Sequence, residues 1–306
     1  VQDNTNLELS AFCDSPTRKK FLEDCFGISS NQLKKNNLSK AWLEIPVKKM
    51  QVLTIPLNIA NHLRINPIYA GSPVRIIKEN KHFTAIHKPP FIHTHPLSYC
   101  ESDNILSALR ALGEEDVLNV NQHNYDRGLL FRLDFETSGL LIATKDENIY
   151  KEIRKNFHSV FKEKIYIAIV HGEVIAENIF THRLKPYGEK SHKMVESHHV
   201  TDSIVQLSFV KLAYNKQENI SLVAIKLRDG VRHQIRAQFS IANHPLLGDE
   251  LYGGKKSKRL YLHCYYYAME INDETFNAID SNLELFDNFF DLNSCFEMIS
   301  NKFGIG

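Results

Sequence analysis

LLFRLDFETSGLLIATK, running from Leu129 to Lys145, sets two apolar runs around a charged, small-residue centre. The runs predict two short buried strands, and Glu136 to Gly139 predicts the turn between them. Asp134 then falls where a core strand gives way to a turn, fixed on one side and open on the other. A reactive carboxylate suits that position, because strands fix geometry and loops allow access. An Asp there could equally do no more than accept backbone N–H bonds and start the turn. The rest of the chain has to decide between these readings.

A chain of 306 residues with 43% hydrophobic content can bury a large core, as one domain or as one with a small appendage. Lys and Arg number 37 against 36 Asp and Glu, so net charge neither suggests nor excludes nucleic acid. The distribution is more telling. From Glu270 onward there are eight acidic residues and one Lys, while basic residues gather at His182, Arg183, Lys185, Lys190, His192 and Lys193. Further basic groups are Arg228, Arg232 and Arg236, then Lys255, Lys256, Lys258 and Arg259. Segregated charge of this kind can offer a basic face to a phosphate backbone. The cysteines, Cys13, Cys25, Cys100, Cys264 and Cys295, are odd in number and form no CxxC pair, so reduced thiols and a cytoplasmic setting are expected. No apolar run approaches the ~18 residues of a membrane span, and VQDNTNLELS lacks the shape of a signal peptide.

Taken in order, residues 1–73 predict a small N-terminal module. It has a helix from Ser15 (N-cap, before Pro16) to Phe26, a second from Asn31 to Leu43, and a β-like run from Val47 to Ile55. Residues 74–306 predict the main domain, ending in the acidic tail. Its expected strands are Val74–Ile77, Phe83–Ile86, Lys164–Val170, Ser203–Ala213, Asn219–Leu227 and Arg259–Cys264. Its expected helices are Asp103–Leu112, with Asp103 as N-cap, Glu147–Phe161, and Arg232–Ala242. Gly172–Val200 reads as a long basic irregular loop.

Several chemistries are set aside. The chain has no GxGxxG, no Walker loop and no GxSxG elbow. His93 and His95 alone, without HExxH or Cys companions, do not make a metal site. Any chemistry must then be done by side chains. Arg232 and Arg236, four apart on the predicted helix, would face one way and suit a phosphate or a carboxylate.

At this point the residues resemble a family. Phe131 to Leu141, FRLDFETSGLL, is similar to the HRLDxxTSGLLI signature of RluA-type pseudouridine synthases. His87-Lys88-Pro89-Pro90 with His95-Pro96 resembles that family's NKP…VHP segment, and Lys164 to Ala168 its KxYxA strand. Gly230 to Arg236, His244 to Asp249 and Tyr252-Gly253 resemble its GRxHQIR…G-PLxGDxxYG block, and Leu260 to His263 its LxLHA segment. These matches run in order over residues 74–268.

The resemblance implies an α+β fold on a mixed, largely antiparallel sheet flanked by helices and loops, with a central cleft. It implies isomerisation of uridine in structured RNA, ribosomal or transfer, to pseudouridine, without cofactor or metal, by a monomer whose partner is RNA. Asp134 falls on the essential Asp, acting at the ribose C1′ or at the base. Tyr166 falls on the active-site Tyr, Arg236 on the Arg that pairs with the Asp, and Arg132 on the Arg that takes the place of the flipped nucleotide. His87, Lys88, Arg232, His233, Gln234 and Leu262 fall on positions expected to bind substrate. The N-terminal module could be a degenerate S4-like RNA-binding unit. Three positions depart from the pattern: Phe131 replaces a His, Val231 an Arg and Gln238 a His. They give some support to an alternative, a catalytically inactive RNA-binding or chaperone relative. A hydrolase pairing Asp134 with Glu136 is a further rival from another class.

Overall fold

Strand after strand in the second half of the chain is apolar on both faces, which a sheet can satisfy only if both faces are covered. The computed structural model describes residues 6–305 apart from 12, 27, 29, 36–37, 57–64, 67, 98–100, 123 and 228; Cys100 and Arg228 thus lie outside the described residues. The chain forms two units.

The first unit comprises residues 1–73, 92–130 and 144–150. In it β1 (Asn6–Ser10) pairs antiparallel with β2 (Val52–Pro56), alongside α1 (Arg18–Phe26), α2 (Ser30–Lys35) and α3 (Lys40–Leu43). Phe21, Leu22, Leu43, Val47, Leu53 and Ile55 share its core. The predicted cap at Ser15 is corrected. Ser15 is tied into a bridge with Val47, and the Thr17 hydroxyl accepts from Lys20 N, starting the helix later. The expected Asn31–Leu43 helix is two, the second capped by Ser39 accepting from Trp42 N. Further along, α4 (Ile105–Leu112) and α5 (Glu115–Asn119) follow one another. Asn104, not Asp103, caps α4: its Oδ1 accepts from Ser107 N at 3.0 Å while its amide donates to Glu101 O.

The second unit comprises residues 74–91, 131–143 and 151–306. Its strands are β3 (Arg75–Glu79), β4 (Phe83–Lys88), β5 (Ser138–Thr144), β6 (Phe161–His171), β7 (Glu177–Tyr187), β8 (Lys193–Glu196), β9 (Ile204–Asn215), β10 (Ile220–Leu227), β11 (Leu262–Ile271) and β12 (Glu274–Ile279). They build one sheet in the order β3-β4-β5-β11-β6-β10-β9-β7-β8, with β12 on β11. The β5–β11 pair is parallel; β11–β6, β6–β10, β10–β9, β9–β7 and β7–β8 are antiparallel. The fold class is therefore α+β on a mixed, largely antiparallel sheet. One face carries Ile165, Ile167 and Ile169 of β6 against Tyr261, Phe286 and Ile299, the last on α9 (Leu292–Phe303). α8 (Gln234–Ile241) packs through Ala237 with Leu184 of β7, Met194 of β8 and Val205 of β9.

Two expectations in this part are corrected. The helix predicted over Glu147–Phe161 is α6 (Glu147–Lys155) and one turn, α7 (Phe157–Val160), and Phe161 already opens β6. Gly172–Val200 is not irregular: most of it is the β7–β8 hairpin. Its alternation is hard to see because one face is largely exposed, with Ile179 and Tyr187 in solvent. Among the described residues no helix is long and apolar enough to cross a membrane.

Candidate active site

The residues before Asp134 do not form the strand predicted for them. Leu129, Leu130 and Leu133 are buried while Arg132 is exposed, a spacing that fits a loop rather than a period of two. The turn also sits earlier than expected, with Thr137 N donating to Asp134 O at 3.1 Å, and Ser138 and Gly139 already in β5. Asp134 thus stands at the first position of a turn that feeds directly into a fully buried strand.

The carbonyls of that turn are tied down from below. Lys88, wholly buried at the end of β4, donates from Nζ to Thr137 O at 2.7 Å, Phe135 O at 3.2 Å and Pro89 O at 3.1 Å. Burial drags the Lys88 ammonium down to about 7, opposed by the charge of Asp134. Phe91 N also donates to Phe135 O at 2.8 Å. Gly139 carries a positive φ of 115°, and a Cβ there would sit 2.4 Å from Cys264 N and O, so only glycine lets β5 approach β11.

Arg236, on the first turn of α8, supplies the cation. Its Nε and Nη2 donate to Asp249 Oδ2 and Oδ1 at 2.7 and 2.8 Å, a buried bidentate pair. Nη1 is left 3.6 Å from Asp134 Oδ2 and 3.5 Å from Glu136 Oε2. Burial works against the guanidinium charge, but the Asp249 bonds outweigh it and hold Arg236 above its ordinary value. Asp134 is about one third exposed, so its carboxylate faces a fixed positive group on one side and solvent on the other.

His233 reaches the same carboxylate, with Nε2 3.7 Å from Asp134 Oδ2. It caps α8 in the left-handed region at φ 53°. Met194 N, on β8, donates to the Tyr252 hydroxyl oxygen at 2.8 Å, and that hydroxyl lies 3.1 Å from His233 Nδ1. With Tyr252 donating to Nδ1, the neutral imidazole carries its proton on Nε2, toward Asp134. Burial lowers the His233 pKa, with Asp134 opposing and Arg236 and Arg232 reinforcing.

Tyr166 lies on β6, opposite Cys264 of β11. Among the described residues its hydroxyl bonds to Tyr267 at 3.2 Å and makes no bond to Asp134. Burial, first, and the neighbouring Cys264 and Tyr267 raise the Tyr166 phenol well above its usual value. Phe131 stacks on Tyr267 with ring centroids 4.3 Å apart and planes 18° apart.

The positions expected to bind substrate divide. His233 joins the Asp134 cluster. His87 is buried, with Nδ1 2.5 Å from Asp280 Oδ2 and Nε2 3.3 Å from the Asn282 amide. Gln234 is buried and bonds Gln206 O, Gln238 Oε1 and Val231 N. Leu262 is a buried strand residue opposite Ala168. These three side chains, with Lys88, are occupied by the fold itself. Arg232 and Arg236 do not share a helix face: Arg232 precedes α8 and donates to Ser191 O at 2.9 Å, because the left-handed residue between them redirects the chain. Arg132 is exposed and, among the described residues, makes no hydrogen bond or ion pair. Asp249 and Tyr252 were quoted in a motif but not picked out. An Asp in an otherwise apolar segment is a signal of a paired buried charge, because a fully buried carboxylate needs a partner. Arg259 is buried and bonds Leu260 O and the Ser138 hydroxyl, which takes it out of the exposed basic cluster.

Two of the departures are explained by packing. Val231 lies against the cluster of Leu184, Met194 and Val205. Gln238 donates to Phe180 O and faces His182 Nδ1.

The sequence model described as RNA pseudouridylate synthase matches residues 82–241, which contain Lys88, Asp134, Tyr166, His233 and Arg236. The chain belongs to the RNA pseudouridylate synthase family. Among curated proteins it is 29% identical over 215 residues to the ribosomal large subunit pseudouridine synthase D of Borreliella burgdorferi, covering 68% of this chain and 65% of that protein. It is 30% identical over 199 residues to the ribosomal large subunit pseudouridine synthase C of Rickettsia prowazekii, covering 62% and 61%. These relatives agree with the RluA-type resemblance of the motifs. The chain spans a little under two thirds of the length of the curated relatives it matches. In fold it is similar to the solved structure of human RNA Pseudouridylate Synthase Domain Containing 1, with a TM-score of 0.62 at 18% identity over 78% of this chain and 98% of that one. In this synthase fold the Asp134 loop, β6 and α8 carry the three residues that the sequence had put forward as catalytic.

Proposed function

We propose that the protein isomerises uridine to pseudouridine in RNA, with ribosomal RNA as the substrate class and Asp134 as the essential residue. In the reaction the N1–C1′ bond breaks, the uracil turns, C5 joins C1′, the proton leaves C5 and N1 ends protonated. Atoms balance without any co-reactant. The observation that carries the reading is Asp134 itself: a half-open carboxylate whose inner oxygen faces the Arg236 guanidinium at 3.6 Å. A carboxylate so placed suits attack at C1′ or proton removal from the sugar or base. Relatives named as ribosomal large subunit synthases support the substrate class.

In this reading Tyr166 stacks against the base, Arg236 orients Asp134, and the free guanidinium of Arg132 occupies the gap left by the flipped nucleotide or grips its phosphate. Flipping costs a few kcal/mol, and such a wedge offsets part of that. The β7–β8 hairpin, with Lys185 and Lys193, and exposed Lys255, Lys256 and Lys258 hold the RNA backbone. Residues 1–73 add RNA affinity. The enzyme works as a cytoplasmic monomer.

The test is incubation of the protein with large-subunit ribosomal RNA followed by pseudouridine mapping. The wild type forms product, while Asp134→Ala forms none and keeps its RNA affinity. Product persisting in Asp134→Ala, or free uracil in place of pseudouridine, overturns the assignment.

A further inference from the structure

Phe131, where the family motif has a His, is not idle. We propose that Tyr267 is a positioning residue for Tyr166, clamped by Phe131, and that this aromatic chain sets how the Tyr166 ring meets the uracil base. The inference rests on the reading of Tyr166 given under Proposed function.

Cys264 and Tyr267 are three apart in β11, and a regular strand would turn them to opposite faces. The β11–β6 pairing shifts register between Cys264 and Tyr266, so that Cys264 lies opposite Tyr166 and Tyr267 opposite Lys164. One extra residue in the ladder therefore brings Cys264 and Tyr267 to the face that carries Tyr166. Tyr265, Tyr266 and Ala268 go to the opposite face, with Ile165 and Ile167. Without the bulge Tyr266, not Tyr267, would share the face of Tyr166, and Tyr267 would turn away from it.

The bond between the two phenols, 3.2 Å long, joins the tips of the rings, where a Tyr side chain has most freedom to move. Tyr267 is itself held by two rings: Phe131 stacked on its face, and Phe161 edge-on with centroids 5.7 Å apart. Phe131 also meets Phe161 edge-on at 5.7 Å. Phe131 lies three residues before Asp134 in the same loop, so the stack connects that loop to Tyr166, to which, among the described residues, Asp134 makes no hydrogen bond. Burial pushes both phenols well above their ordinary values, so both stay neutral and one O–H always serves the other. Cys264, likewise held as a thiol by burial, also hydrogen-bonds Tyr166, so the Tyr166 hydroxyl has a second β11 partner beside Tyr267.

The test uses the full chain and 5-tritiated large-subunit ribosomal RNA, reading tritium release in single turnover and RNA affinity by filter binding. Tyr267→Phe lowers the single-turnover rate by about tenfold, the weight of one hydrogen bond, while affinity is unchanged. In a Tyr166→Phe background the same substitution changes the rate by less than about twofold, because its partner is already gone. Phe131→Trp, which keeps a stacked ring, retains the rate, and Phe131→Ala loses it at unchanged affinity. A wild-type rate in Tyr267→Phe, or an equal fall in both backgrounds, overturns the inference. Should Tyr267→Phe fail to fold, Phe131→Trp and Phe131→Ala with equal rates overturn it just as well. If the wild type releases no tritium, the proposed function fails and takes this inference with it. If the wild type is active and these substitutions are silent, only the inference fails.

Discussion

Arg236 divides its guanidinium between two tasks: Nε and Nη2 are bound to Asp249, and Nη1 alone faces Asp134 and Glu136. The bidentate half fixes the plane of the group, so Nη1 needs no reorganisation to meet charge in the site. The arginine is thus anchored by a carboxylate other than the one it serves.

Asp249→Ala should therefore act at a distance. It leaves a buried guanidinium without its partner, a loss of about 3–5 kcal/mol. Urea unfolding will read that loss, and RNA isomerisation will fall because Nη1 is no longer held toward Asp134. The double variant Arg236→Met with Asp249→Leu should recover much of the stability and none of the activity.

Lys88 gives a pH prediction whose sign is unusual. Its pKa is about 7 in the fold, below the 10.5 of the unfolded chain. Between those values the unfolded state binds the extra proton, so Lys88 makes stability rise with pH, by up to about 1.4 kcal/mol per pH unit. Below pH 7 the proton is bound in both states and the slope vanishes. Urea unfolding at pH 7, 8 and 9 should show this slope in the wild type and its loss in Lys88→Met. That variant should also be less stable at pH 9, since the carbonyls of Phe135 and Thr137 lose a donor at about 1–3 kcal/mol.

Tyr252 links the β7–β8 hairpin to the site through one hydroxyl. In Tyr252→Phe the buried Met194 N–H loses its acceptor. Native-state hydrogen exchange at Met194 should speed up by about tenfold to a hundredfold, with distant amides in β10 unchanged. His233 Nδ1 loses the same partner, so the pH profile of isomerisation should shift near neutrality.

Lys185→Ala and Lys193→Ala test the hairpin as an RNA contact. Each should weaken binding evenly across RNA sequences and lower the salt slope of log affinity by about 1. Unchanged slopes would remove the hairpin from the interface. Lys302→Ala, whose charge is engaged by Glu177 at the start of β7 and which is not among the proposed RNA contacts, serves as the control.

Local pattern carried a good deal. Strict alternation in Lys164–Val170 placed Tyr166 opposite the isoleucine face, and β6 has that arrangement because a period of two needs no tertiary help. The residues flanking Asp134 were legible as a charged turn between apolar runs, although only the second run is a strand. Its neighbour Leu129–Leu133 is held as a loop by burial that does not alternate. The failures have a common cause. Ser15 and the Arg232–Arg236 helix face were read from local chemistry and were decided by partners farther along the chain, Val47 and Tyr252 over the left-handed His233, whereas the cap moved from Asp103 to Asn104 because Asn104 alone bonds both Ser107 and the Glu101 carbonyl. By itself the sequence of this family member determined which residues could be reactive, because carboxylate, phenol and guanidinium are chemical identities. Only the tertiary structure decided who holds them. Asp249 lies 13 positions from Arg236, Lys88 47 from Phe135 and Tyr267 101 from Tyr166, set by no sequence rule, and a strand bulge, a buried ion pair and an ammonium shared among carbonyls exist only after distant backbone has been brought within hydrogen-bond reach.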